Sequence, residues 1–237
     1  MRQQLRSTLA LATLVLMPAV TRAQAVDQEA SRKVAGGGIS AAGWAGTIDA
    51  KEVKAGQVLE NSKLSMDKKV LKVTTGPAVT YWSPANRASG NYTVKATFNE
   101  ADYMGLNDHP HPYGIVIGGN DLGTENQSYL YCAAYGNGNF IVRGMGPAPF
   151  QMNGRAGEAN AAVHKAAGKN QPVSQEIAVS VKGDKVECAI NGTTVGSYDK
   201  AALVMAGKLK STDGVYGIRF AHNTEATVTG LTMTKDK

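Results

Sequence analysis

The chain has 237 residues, 43% of them hydrophobic and 19% charged, with a formal charge of +6 and two cysteines. That length suits one sizeable hydrophobic core. The basic residues form no run interleaved with aromatics, which argues against nucleic acid as a partner.

The first 25 residues carry Arg2 and Arg6, then the apolar run "LALATLVLM", and end in Ala23-Gln24-Ala25. A charged start, a short apolar stretch and a small-x-small ending read as a secretory signal peptide. The apolar run is too short to span a bilayer, and no later stretch offers a membrane span. The expectation is an exported bacterial protein, periplasmic or extracellular. Removing the leader would take Arg2, Arg6 and Arg22 with it and lower the formal charge to +3. Residues 26–38, "VDQEASRKVAGGG", are polar and end in three glycines, so they read as a flexible mature N-terminus.

Residues 39–237 read as a single β-sandwich domain. Short β-branched and aromatic runs recur between Gly, Asn, Asp and Pro: "KVLKVTTG", "NYTVKATF", "YGIVIGG", "SYLYCAAYG", "NFIVRGM", "EIAVSVKG", "DKVECAING", "TTVGSYD", "GVYGIRFAH" and "ATVTGLTMTK". Turn signals such as Lys182-Gly183-Asp184 and Asn191-Gly192 join several of them. Helical periodicity is confined to "KAALVMAG" and "GEANAAVHKAAG". Ten or so short strands predict an all-β, two-sheet antiparallel sandwich or barrel.

Alternation assigns a core face to Leu130, Cys132 and Ala134, to Phe140 and Val142, to Ile177, Val179 and Val181, to Val186, Cys188 and Ile190, and to Ile218 and Phe220. Tyr129, Tyr131, Tyr135, Arg143, Ser180, Lys182, Glu187 and Arg219 fall on the opposite face. Read as a meander in one sheet, these runs separate Cys132 from Cys188 by two strands. That spacing is beyond a disulfide, so the expectation is two buried free thiols.

The stretch "EIAVSVKGDKVECAINGTTVGSYD", followed by "GVYGIRFAHNTEATVTGLTMTK", resembles the C-terminal half of concanavalin A-like (laminin-G-like) jelly rolls. The resemblance rests on the hairpin turn at Asn191-Gly192 and on the pattern Gly214-Val215-Tyr216-Gly217-Ile218. It spans about residues 44 to 235, and among exported bacterial members it is closest in flavour to the 3-keto-disaccharide hydrolase-type domain. The resemblance implies a saccharide on the concave sheet and its loops, with calcium in some members. Fold alone does not give function.

Four stretches carry the functional candidates. Tyr129, Tyr131 and Tyr135 with Arg143 offer a surface suited to a sugar, or else fill the sheet; on the binding reading Tyr131→Ala leaves the melting temperature nearly unchanged. Residues 144–171 form a long segment with Phe150, Gln151, Asn153, Arg155 and His164, a lid or a solvated excursion. "NDHPHPYG" puts His109 and His111 before prolines; polyproline geometry splays positions two apart by roughly 120°. The reading is a turn first, a ligand contact by His109 or His111 second and a metal site third, with His222, Asp108 or Asp102 as its third donor. No metal ligand is therefore assigned. Finally, Glu100-Ala101-Asp102 is an incomplete version of the acidic strand of retaining glucanases, with Met104 and Gly105 where a third acid belongs, and reads as a solvated strand end.

The sequence thus points to an exported carbohydrate-interacting jelly roll, with Tyr129, Tyr131, Tyr135, Arg143, His109, His111 and Arg155 as ligand-binding candidates. Binding and hydrolysis of glycosides both remain open, because no catalytic signature is complete. The alternative is a non-catalytic structural or protein-binding module of the cell envelope.

Overall fold

The computed structural model describes residues 30–236; the segment read as a signal peptide, and the first residues of the segment read as flexible, lie outside the described residues. Sixteen strands appear among the described residues. The first eight are β1 (Gly38–Ile39), β2 (Ala45–Ile48), β3 (Lys63–Asp67), β4 (Val70–Thr74), β5 (Val79–Ala88), β6 (Tyr92–Glu100), β7 (Tyr113–Asn120) and β8 (Ser128–Ala134). The others are β9 (Asn139–Met145), β10 (Phe150–Gln151), β11 (Glu158–Ala159), β12 (Val173–Lys182), β13 (Lys185–Ile190), β14 (Thr193–Asp199), β15 (Gly214–Phe220) and β16 (Glu225–Lys235). All ten strand-like runs of the sequence fall on these elements.

Two sheets form. One has the order β1-β3-β4-β16-β6-β12-β13-β14; the other runs β10-β9-β8-β7-β15-β5-β2, with β11 also on β9. Every pairing but the short parallel β1–β3 contact is antiparallel. The β13–β14 hairpin turns through Asn191 and Gly192, both at positive φ (50° and 81°), which is what a two-residue hairpin with the sheet's twist requires. Gly217 has a different reason: a Cβ there would lie 2.2 Å from the Tyr81 carbonyl, so only glycine lets β15 approach β5.

The core lies between the sheets. It takes every side chain that alternation assigned inward, together with Leu64, Tyr81, Tyr92, Phe98 and Tyr113. No helix among the described residues is long and apolar enough to cross a membrane.

The free-thiol expectation is overturned. Cys132 and Cys188 are joined by a disulfide, with their Cα atoms 5.9 Å apart. A meander in one sheet is the wrong topology: β8 belongs to one sheet and β13 to the other, so two inward-facing cysteines meet across the core. Residues 30–38 also differ from the flexible segment expected of them. Arg32 N–H donates to Asn223 Oδ1, Val34 N–H to the Asn61 carbonyl, and Gly38–Ile39 pairs with β3. Gly37 sits so close to Glu60 that its glycine-rich composition serves packing as well as freedom.

Glu100 ends β6 buried, at 3% exposure, and is not the solvated strand end expected. Its Oε1 accepts a hydrogen bond from the Met104 amide, and the Tyr113 hydroxyl stands beside the carboxyl. Burial raises its carboxyl to about 7, against smaller opposing effects of hydrogen bonds from the Met104 amide and the Tyr113 hydroxyl. The folded state therefore holds a proton that the unfolded chain releases near the usual glutamate range. The stability this supplies is full below about pH 4.5 and is lost as pH rises toward 7, by about 3 kcal/mol. Glu100→Gln should thus gain on the parent progressively between pH 5 and 8 in urea unfolding; a pH-independent difference would mean that Glu100 titrates normally.

Candidate functional site

The outer face of the second sheet carries a satellite apolar cluster of Val116, Tyr129, Tyr131, Ala133 and Ile141, with Tyr135 and Met145 packed against it. Arg219 of β15 crosses this face. Its neighbours in register are Gly114 on β7 and, beyond it, Ala133 on β8, two small residues that leave room for a guanidinium. Nη1 donates to Thr80 Oγ1 (2.9 Å) and to the Tyr129 hydroxyl (3.0 Å). Nη2 pairs with Asp49 Oδ2 at 2.6 Å, and both side chains are about nine-tenths buried. The guanidinium also lies 4.9 Å from the Tyr131 ring centroid, a cation–π distance.

Above this floor is a cleft of about 390 Å³. Asp49, Lys51, Tyr131, Tyr135, Arg143, Gln151 and Arg219 line one part of it, and His109, His111 and His222 line another. Arg143 reaches the Arg155 carbonyl through Nη2, while its Nε, buried, finds no acceptor among the described residues. Against Lys51, Arg143 and Arg219 the lining sets one carboxylate, Asp49, so the cleft is electropositive.

The histidines come from two loops. The 107–112 loop is anchored by buried Asn107, whose Nδ2 donates to the Asn223 carbonyl (2.8 Å). Asn223 sits in the left-handed region (φ 48°), which asparagine tolerates, and its side chain also holds Ala30 and Arg32 of the N-terminal segment. His222 is thereby carried onto the His-Pro loop. His111 Nδ1 lies 2.5 Å from the His222 carbonyl, and its Nε2 lies 2.8 Å from His109 Nε2. Burial, reinforced by His222 and His109, pushes His111 down to about 3, so its ring is neutral at ordinary pH. One ring nitrogen from each of the three lies within 4.8 Å of the others. This corrects the expectation that His109 and His111 splay apart. The loop is not a regular polyproline turn, and hydrogen bonds to Asp108 and to the His222 carbonyl swing the two rings together.

No family model and no curated protein sequence matches the chain. Among solved structures it is similar to a carbohydrate-binding module from Bacillus subtilis, with TM-score 0.54 and 8% identity over 84% of this chain and 99% of that one. It is also similar to an endo-β-1,3-glucanase from Pyrococcus furiosus, with TM-score 0.50 and 11% identity over 81% and 89% of the two chains. The chain folds as a concanavalin A-like jelly roll.

On this jelly roll the ligand-binding candidates of the sequence part company. Tyr131, Tyr135, Arg143, His109 and His111 meet in the cleft. Tyr129 does not: at 1% exposure it is a prop beneath Arg219. Arg155 gives its backbone carbonyl to Arg143, and its side chain is not among those lining the cleft. Tyr131 is only 7% exposed and its ring is covered by Arg219, so truncating it would damage packing, contrary to the stable variant expected. The 144–171 segment is partly the predicted lid, since Pro149, Phe150 and Gln151 line the cleft. For the rest it caps the sheet edge through β10 and β11, with Asn153 bonded to the backbone of β9, and His164 turns to Ser174 and Gln175 instead. No helix forms around Ala161.

Sequence reasoning missed Asp49 and did not assign His222. Asp49 lies in a region without strand pattern, and nothing local marks it as the partner of an arginine 170 residues away. Calcium, which the resemblance admits, does not fit here: it takes several oxygen donors, and the one carboxylate of the cleft is held by Arg219.

Proposed function

We propose that this protein is an exported, non-catalytic carbohydrate-binding module whose cleft takes an anionic saccharide, such as a uronate-containing oligosaccharide. The observation that carries the reading is the cleft lining: two arginines and a lysine against one carboxylate, Asp49, which Arg219 already holds. A carboxylated sugar would balance that charge, and charge-assisted hydrogen bonds are the stronger kind. The similarity of fold to a carbohydrate-binding module supports a saccharide as the ligand.

Glycoside hydrolysis, which the glucanase neighbour brings to mind, finds less support. A two-carboxylate mechanism needs an acid and a second carboxylate at the bond. Neither Glu100 nor Asp102 lines the cleft, and Asp49 stands there alone among the described residues.

The test is isothermal titration of the purified chain with neutral and uronate-containing oligosaccharides. Arg143→Gln is expected to weaken binding of the acidic ligand at least about tenfold, as loss of a charge-assisted contact implies, with little change in melting temperature. Equal affinity for neutral and acidic sugars, or an unaffected Arg143→Gln, would remove the anionic reading. Product release in the same samples would restore hydrolysis.

A further inference from the structure

The three histidines of the cleft are unexplained by saccharide binding. Imidazole has one acidic and one basic nitrogen when neutral, and the partner of one fixes the role of the other. His111 Nδ1 lies 2.5 Å from the His222 carbonyl, which can only accept, while the Asn107 amide nitrogen stands farther off at 3.3 Å and already donates to the Asn223 carbonyl, so Nδ1 carries the hydrogen and Nε2 the lone pair. His109 Nδ1 faces Asp108 Oδ1 at 2.6 Å, a carboxylate, which gives the same result. The two Nε2 atoms, 2.8 Å apart, therefore present lone pairs to each other. The third ring lies beside them. Ser31 Oγ donates to Glu52 (2.7 Å) and lies 3.4 Å from His222 Nδ1, and one ring nitrogen of His222 lies within 4.8 Å of the other two rings' nitrogens.

We propose that His109, His111 and His222 together bind one divalent transition-metal ion of the zinc type. A cation between converging lone pairs resolves their repulsion. Imidazole nitrogen suits zinc and its neighbours, whereas calcium and magnesium favour oxygen. The carboxylate and carbonyl that hold the far nitrogens of His109 and His111 are the outer hydrogen bonds that metal-binding histidines generally make. In a tetrahedral zinc site two nitrogens stand roughly 3.3 Å apart, so the His109–His111 pair, at 2.8 Å, opens by about half an ångström, while His222, whose ligand atom lies within 4.8 Å of theirs, closes on the ion. Three imidazoles leave a fourth position for water or for an oxygen of whatever occupies the cleft, which all three residues line. The site does not depend on the saccharide reading and can be tested without a sugar.

The experiment uses the full chain, purified without a histidine tag and stripped with a chelator. Zn(II) is titrated in competition with a chromogenic chelator, and Co(II) substitution reports geometry through its visible bands. One equivalent should bind, with tetrahedral-type cobalt absorption. His222→Ala and His109→Ala should each weaken binding at least about tenfold, and Asp108→Asn should do so by about tenfold. His164→Ala, outside the cleft, should bind as the parent does. Because His111 is buried, His111→Ala is informative only if its circular dichroism matches the parent; the half-exposed His109 variant keeps the test open if it does not. Absence of saturable binding, or binding that survives replacement of both His109 and His222, would overturn the site and leave a shared proton between the rings.

Discussion

Replacing both members of the Cys132–Cys188 bridge by alanine is expected to lower stability by about 4 kcal/mol. The crosslink closes a separation of 56 residues, and loop-closure entropy in the unfolded chain sets that scale. For a chain of this size the melting temperature should fall by about 10 °C. Reductant should do the same to the parent and nothing further to the variant. The bridge also couples the two sheets at the middle of the core, since Cys132 on β8 and Cys188 on β13 are both fully enclosed. Its loss should therefore register as reduced protection of amide hydrogens in both sheets at once. If the intact protein has the mass of two free thiols, and reductant leaves the melt unchanged, the bridge does not form in solution.

The second large effect is expected at Asp49. Asp49→Ala leaves the Arg219 guanidinium buried beneath the cleft with only the neutral partners Thr80 and Tyr129. Breaking a buried pair from one side typically costs about 3–5 kcal/mol, because the remaining charge stays desolvated. Removing both charges, with Asp49→Ala and Arg219→Met, should recover much of the loss. Denaturant midpoints of the two variants and the parent measure this directly. A single variant within about 0.5 kcal/mol of the parent would place the pair among exposed ion pairs of little weight.

Much of the fold was legible along the chain. The inward residues of β8, β9, β12, β13 and β15 follow from strict alternation, because a strand with one buried face must repeat every two residues. The turns at Gly183 and Asn191-Gly192 follow from the backbone conformations only such residues adopt without cost. β5 was not legible: Pro84 interrupts a run that alternation would otherwise mark, and the structure accommodates it where the pairing with β15 shifts register. Glu100 misled for a related reason. An acid at a strand end normally faces water, and nothing in the neighbouring sequence announces that Tyr103 and Tyr113 close over it.

By itself the sequence determined the strand content, the inward faces and the outward set from which Tyr131, Arg143 and Arg219 come. Those features depend on residues one to four apart, whose periodicity and turn chemistry act locally. Tertiary structure alone decided which strands share a sheet, and with that whether Cys132 meets Cys188. It also decided that Tyr129 is a prop and not a contact surface, that Asp49 finds Arg219, and that His222 joins His109 and His111. These partners are separated by 56 to 170 residues. Periodicity carries no information at that range, because the order in which strands cross between two sheets is set by how the whole core packs.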